Sequence, residues 1–85
     1  MSLTRHASAR LQQRAIPPFA LELLERFGAE ERCGGAIRLF FDRAARKRVQ
    51  RHFGGPRGLR SVEHLLNTYA VLGDNGSVIT VGHRQ

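Results

Sequence analysis

Two short turn signals constrain this chain most. Gly34-Gly35 and Asn75-Gly76 each lie between runs that favour extended backbone. Both dipeptides tolerate the positive φ that a tight hairpin turn demands. Residues 29–33 and 36–41 are therefore expected to pair as one hairpin. In that register Glu31 faces Arg38, an opposite-charge pair that fixes the alignment. Ile37, Leu39 and Phe41 point one way. The second hairpin joins Thr68–Gly73 to Ser77–His83 through Asp74-Asn75-Gly76. A two-residue type I′ turn at Asn75-Gly76 sets Leu72 opposite Ile79, Ala70 opposite Val81, Tyr69 opposite Gly82 and Thr68 opposite His83. Leu72, Ile79, Ala70, Val81 and His83 then share one face, with Tyr69 and Val71 on the other. Tyr69 covers the gap that Gly82 leaves, and His83 sits at the rim, with His6 or Arg10 as expected neighbours.

Helices are expected to fill the rest. Thr4 caps a first helix over Arg5–Arg14, with Leu3, Ala7 and Leu11 as its apolar stripe. Ile16-Pro17-Pro18 ends it and opens a second helix, with Pro18 in the first turn. Ile16, Ala20, Leu23, Leu24 and Phe27 recur at the spacing of a buried helical face. Glu22 and Arg26 pair outside it, and Gly28 closes it. Asp42 caps a third helix, 43–53, which buries Ala45, Val49 and Phe53 and ends at Gly54-Gly55-Pro56. Residues 54–58 read as a mobile loop, and 59–67 as a short fourth helix burying Leu59, Val62, Leu65 and Leu66. The expected fold is α+β: two N-terminal helices packed on an antiparallel sheet of about four strands, with a basic helix inserted between two hairpins. Eighty-five residues make one domain, 1–85. Its core is thin enough for a homodimer or a supporting partner to matter.

Composition narrows the function classes. Apolar residues make up 41%, enough for a core and too many for wholesale disorder. The single cysteine, Cys33, excludes an internal disulfide and a cysteine-type zinc site, and favours a reducing compartment. Beside a turn, it reads as a small packing residue. No apolar run approaches the roughly 20 residues needed to span a bilayer. Met1 to His6 leads into a polar helical stretch with no signal-peptide pattern. The expectation is a cytoplasmic protein with no membrane span, no metal and no cofactor. Phosphate-loop and dinucleotide glycine fingerprints are absent from the sequence.

Charge carries the functional signal. Fourteen basic and seven acidic residues give a net charge of +7. Residues 42–60 hold Arg43, Arg46, Lys47, Arg48, Arg51, Arg57 and Arg60 against Asp42 alone. Arg43, Lys47 and Arg51 are spaced i, i+4, i+8, opposite the third helix's apolar stripe. Like charges at that spacing repel each other, and a polyanion removes the penalty. Nucleic acid comes first as partner, RNA ahead of DNA; an acidic protein comes second, and a merely solvated face is the bland alternative. His6, Arg10 and Arg14 form a second row bordering the first helix's stripe. It reads as a phosphate clamp or as structural partners of Glu22 and Glu25.

His52 and His64 read as packing residues at helical edges. His83-Arg84, at the end of the last strand, joins a residue suited to proton transfer with a phosphate clamp. A metal-independent ribonuclease needs a base for the 2′-OH, a cation for the phosphate and an acid for the leaving 5′-oxygen. His83, Arg84 and His6 supply those types if the chain ends meet. The competing reading is an ordinary polar terminus.

The opening Arg5-His6-Ala7, followed by Arg10-Leu11-Gln12-Gln13-Arg14-Ala15-Ile16-Pro17-Pro18, resembles the start of small bacterial proteins at the edge of the RelE/ParE-like toxin superfamily, beside the BrnT-like toxins. The ending, Asp74-Asn75-Gly76-Ser77-Val78-Ile79-Thr80-Val81-Gly82-His83-Arg84, resembles theirs too. The resemblance covers roughly residues 4–28 and 68–84. It implies two N-terminal helices against a compact antiparallel sheet. In the ribonuclease members it implies mRNA cleavage by basic, hydroxyl- or imidazole-bearing residues on the sheet, and neutralisation by an antitoxin. The leading expectation is a small RNA-binding protein of RelE-like type, as an endoribonuclease toxin with an acidic antitoxin. The alternatives are a non-catalytic nucleic-acid-binding module and a subunit that docks an acidic protein.

Overall fold

Gly34 alone of the Gly34-Gly35 pair takes a positive φ, +62°. That is the pattern of a type II′ turn, and it closes β1 (Ala29–Cys33) on β2 (Ala36–Phe40) in the expected register. Glu31 stands opposite Arg38, with Glu31 Oε1 3.2 Å from Arg38 Nη2. The computed structural model describes residues 2–84. In it β3 (Thr68–Leu72) and β4 (Val78–His83) complete an antiparallel sheet of order β1-β2-β3-β4.

The second hairpin departs from expectation at its tip. Gly76 N–H donates to Gly73 O at 2.9 Å, and Gly73 N–H donates to Ser77 O at 2.9 Å. The reversal therefore spans Gly73–Gly76, one residue earlier than a two-residue turn at Asn75-Gly76. A type I′ turn needs positive φ at both central residues; here only Gly76 has it, at +80°. The Asn75 side chain instead accepts from Ser77 N–H at 3.0 Å and holds the tip. The one-residue shift makes Leu72 face Val78, not Ile79. A β-bulge at Ile79 then absorbs the shift, and Val71–Thr80, Ala70–Val81, Tyr69–Gly82 and Thr68–His83 pair as expected. The bulge swaps two side chains. Val78 is fully buried, while Ile79, expected in the core, is 40% exposed.

Beside that bulge the chain start adds a short parallel segment. Val78 N–H donates to Ser2 O at 2.8 Å and Thr4 N–H to Val78 O at 3.1 Å, which bridges Leu3 to Val78. Thr4 then caps α1 (Arg5–Gln13), its Oγ1 accepting from Ala7 N–H at 3.1 Å. The helix ends with Ile16 N–H on Leu11 O and Ala15 N–H on Gln12 O. This is a Schellman motif, and Ala15 fills its left-handed position at φ +53°.

α2 (Pro18–Phe27) starts on its proline and ends at Gly28. Asp42 caps α3 (Arg43–His52), accepting from Ala45 N–H at 2.8 Å. The same Schellman pattern ends α3, with Gly55 N–H on Gln50 O, Gly54 N–H on Arg51 O and Gly54 at φ +83°. The residues expected as a mobile loop are thus a defined reversal. α4 (Pro56–Val62) begins three residues before the expected start, because Pro56 is pre-shaped for a first helical turn. A short 3₁₀ turn, Glu63–Leu65, leads into β3.

α2 crosses β2 and β3, α3 packs on α2, α4 on α3, and α1 lies along β4. Leu24, Val49, Leu66, Val78 and Val81 are the largest fully buried apolar side chains between helices and sheet. All helical contributions to the core enter from one side of the sheet. On the other face Phe40, Tyr69 and Val71 take no part in that core, so among the described residues this face is left uncovered. No helix among them is long and apolar enough to cross a membrane.

Candidate nucleic-acid interface

Strand alternation decides what the uncovered face carries. Ile37 and Leu39 of β2 turn to the core, so Arg38 and Phe40 turn away from it. Arg38 pairs with Val71 and Leu39 with Ala70 across β2 and β3; continuing that register sets Phe40 beside Tyr69. Tyr69 in turn faces Gly82, and Val71 faces Thr80. Arg84 follows Gly82 by two residues and lies on the same face, its N–H bonded to Asn67 O. One surface thus gathers Glu31, Arg38, Phe40, Tyr69, Thr80, Gly82 and Arg84.

The side chains converge further than their strands require. Arg38 Cζ lies 4.8 Å from the Phe40 ring centroid, and Arg84 Cζ lies 5.0 Å from the same centroid. Each contact is worth about 0.5–1 kcal/mol at an exposed site, but two guanidiniums held by one ring also repel each other. Glu31 forms its ion pair with Arg38. Arg38 Nε is buried and has no hydrogen-bond partner among the described residues. A phosphate over Phe40 would offset that repulsion and would offer acceptors to both guanidiniums.

α1 contributes from the β4 side. His6 Nε2 lies 3.2 Å from Thr80 Oγ1, so the imidazole reaches the uncovered face. From the Leu3–Val78 bridge α1 and β4 run side by side in the same direction. Four helical residues rise about 6 Å and two strand residues about 6.6 Å, so Arg10 comes level with Gly82. Arg10 Nε is buried without a hydrogen-bond partner among the described residues. Arg14, at the C-terminal cap of α1, is exposed.

His83 goes elsewhere. It pairs with Thr68, which is 1% exposed, and so belongs to the helix-covered side of the sheet, at its rim. Arg84 and the His6–Thr80 contact lie on the opposite side. His6 reaches that face through Thr80, four residues before Arg84 along the chain, and His83 lies on the other. Arg38, Phe40, Tyr69 and Thr80 were not expected as site residues. The alternation Ile37-Arg38-Leu39-Phe40 signals that Arg38 and Phe40 leave the core together. Which strand lies beside β2 has no local signature.

The basic helix occupies the other layer. Arg43, Lys47, Arg48 and Arg51 are exposed on α3, and Arg57 is exposed on α4. Arg46 pairs with Glu63 at 3.8 Å. Arg48 Nε and Nη2 donate to Phe27 O at 3.1 and 2.8 Å, satisfying the carbonyl end of α2. Arg46 and Arg48 therefore have structural partners. Arg43, Lys47 and Arg51 remain as the exposed row. Among the described residues no three His, Cys, Asp or Glu side chains form a group that could hold a metal ion.

Comparison with family models, curated proteins and solved structures returned no match to this chain.

Proposed function

We propose that this protein binds single-stranded RNA on the uncovered face of its sheet and cleaves it there without a metal, as the RelE-like ribonucleases do that its end segments resemble. The observation that carries this reading is the convergence of Arg38 and Arg84 on Phe40, beside Tyr69 and the His6–Thr80 pair. Phosphodiester cleavage of this kind forms a bond from the ribose 2′-oxygen to phosphorus and breaks the bond to the 5′-oxygen. The 2′-hydroxyl gives up its proton to a base, and the 5′-oxygen receives one from an acid. Arg38 and Arg84 hold the phosphate and offset its growing charge. His6 and Tyr69 are the proton-transfer groups on that face. Such a role belongs to the cytoplasm, with an acidic antitoxin as the protein that covers the same cationic surface.

The test is an RNA substrate incubated in chelator, alone and on translating ribosomes. Products ending in a 2′,3′-cyclic phosphate and a 5′-hydroxyl are expected from the wild type and from His83→Ala. Arg84→Gln and His6→Ala are expected to lose them while keeping wild-type circular dichroism. Intact RNA in both settings rejects cleavage and leaves the second reading.

That second reading is a non-catalytic module, whose polyanionic partner, nucleic acid or an acidic protein, meets α3. The exposed row Arg43, Lys47 and Arg51, which among the described residues has no acidic side chain in ion-pair contact, favours it.

A further inference from the structure

β1 forms one edge of the sheet, with β2 as its single strand neighbour. Its residues Glu30, Glu31, Arg32 and Cys33 are all exposed. In a two-residue hairpin the pair flanking the turn, here Cys33 and Ala36, is of the hydrogen-bonded kind, and the kinds alternate along the strand. Cys33, Glu31 and Ala29 therefore spend their main-chain groups on β2. Glu30 and Arg32 aim theirs outward, at the free edge. Open edges of this kind are templates for another strand, and charged residues usually guard them against pairing.

Here the charges complement their own copy. A second β1 laid antiparallel about a twofold axis through Glu31 sets Glu30 opposite Arg32 of the second copy, and Arg32 opposite Glu30 of the second copy. These are the same two residues whose main-chain groups point outward, so the register that pairs the charges also makes four backbone hydrogen bonds. Shifting the axis by one residue either way sets Glu30 against itself or Arg32 against itself, which is unfavourable. The two Glu31 carboxylates do meet on the axis, but each already has Arg38 at 3.2 Å.

We infer that this protein forms a homodimer through β1, with an eight-stranded sheet continuous across the twofold axis. The axis stands perpendicular to the sheet, so both uncovered faces lie on the same side. Three strand spacings separate the two copies of β2, about 14 Å, which sets two Phe40 clusters on one surface. The dimer does not depend on what that surface binds.

Sedimentation equilibrium across micromolar to millimolar protein tests it, in low salt and without nucleic acid. The wild type is expected to pass from 9.5 kDa to twice that mass. Arg32→Glu and Glu30→Arg each place like charges opposite each other at both pairs, and each is expected to raise the dissociation constant at least tenfold. The double variant Glu30→Arg/Arg32→Glu restores both pairs with reversed sign and is expected to recover wild-type association. Thermal melts establish that each variant is folded. A wild type of 9.5 kDa throughout overturns the inference. So does a dimer that both single variants leave intact, which would lie on another surface, or a double variant that stays monomeric.

Discussion

Tyr69 lies across Gly82 so closely that a Cβ there would stand 2.9 Å from the phenol oxygen and 3.0 Å from two ring carbons. The ring therefore occupies space that only a glycine leaves open, on the same face as Arg38, Arg84 and the His6–Thr80 pair. Gly82→Ala is compatible with the strand backbone, and the ring can yield by a few tenths of an ångström. The fold should survive, with a loss of about 1–3 kcal/mol typical of added volume. RNA cleavage should fall much further than stability does, and Tyr69→Phe should show the same loss with wild-type stability. Chemical denaturation and a cleavage assay on the same samples separate the two effects. Equal cleavage by wild type and Gly82→Ala would detach Tyr69 from the site.

α1 and α3 end in the same motif, with Ala15 where Gly54 stands in the other. A left-handed residue with a Cβ costs about 1–2 kcal/mol, and glycine returns part of that by loosening the unfolded chain. Ala15→Gly should stabilise the protein by about 0.5–1 kcal/mol, read as a higher denaturation midpoint at unchanged slope. Gly54→Ala should destabilise it by a similar amount.

Thr68 is 1% exposed, and its Oγ1 has no hydrogen-bond partner among the described residues. Burying a hydroxyl without a hydrogen bond costs about 1–3 kcal/mol. Thr68→Val keeps the shape and removes that penalty, so stability should rise by about 1 kcal/mol. A fall instead would show that the hydroxyl is satisfied in solution.

Leu24 is fully buried where α2 meets the core. Leu24→Ala should destabilise by about 2–5 kcal/mol, because a thin core closes poorly around a cavity. A melt matching wild type would mean that α2 does not anchor the domain.

The legible parts of this fold were those written in local chemistry. Thr4 and Asp42 announce their helices because a side-chain oxygen beside the first turn answers its unpaired N–H groups. Glu31 and Arg38 fix the first hairpin within ten residues of each other. The illegible parts depended on competition or distance. Asn75-Gly76 is compatible with two turns, and the bond from Ser77 N–H to the Asn75 side chain accompanies the one formed. The resulting shift, and the bulge that absorbs it, put Val78 inside and Ile79 outside. Past the bulge, alternation sends His83 and Arg84 to opposite faces, as it must for neighbours in a strand. The Phe40 cluster needs β2 beside β3, a contact closed across α3 and α4, which no residue near Phe40 encodes.

The most direct test of the uncovered face as the RNA-binding surface is the salt dependence of binding, measured by fluorescence anisotropy on a short single-stranded RNA. Each phosphate contact on a single strand contributes about 0.7 to the log–log slope. Arg38→Gln/Arg84→Gln, folded as wild type, should lower the slope by about 1.4 and weaken binding across sequences. A double variant with the wild-type slope and affinity would contradict this account. If Arg43→Gln/Lys47→Gln/Arg51→Gln then abolished binding, the interface would belong to α3.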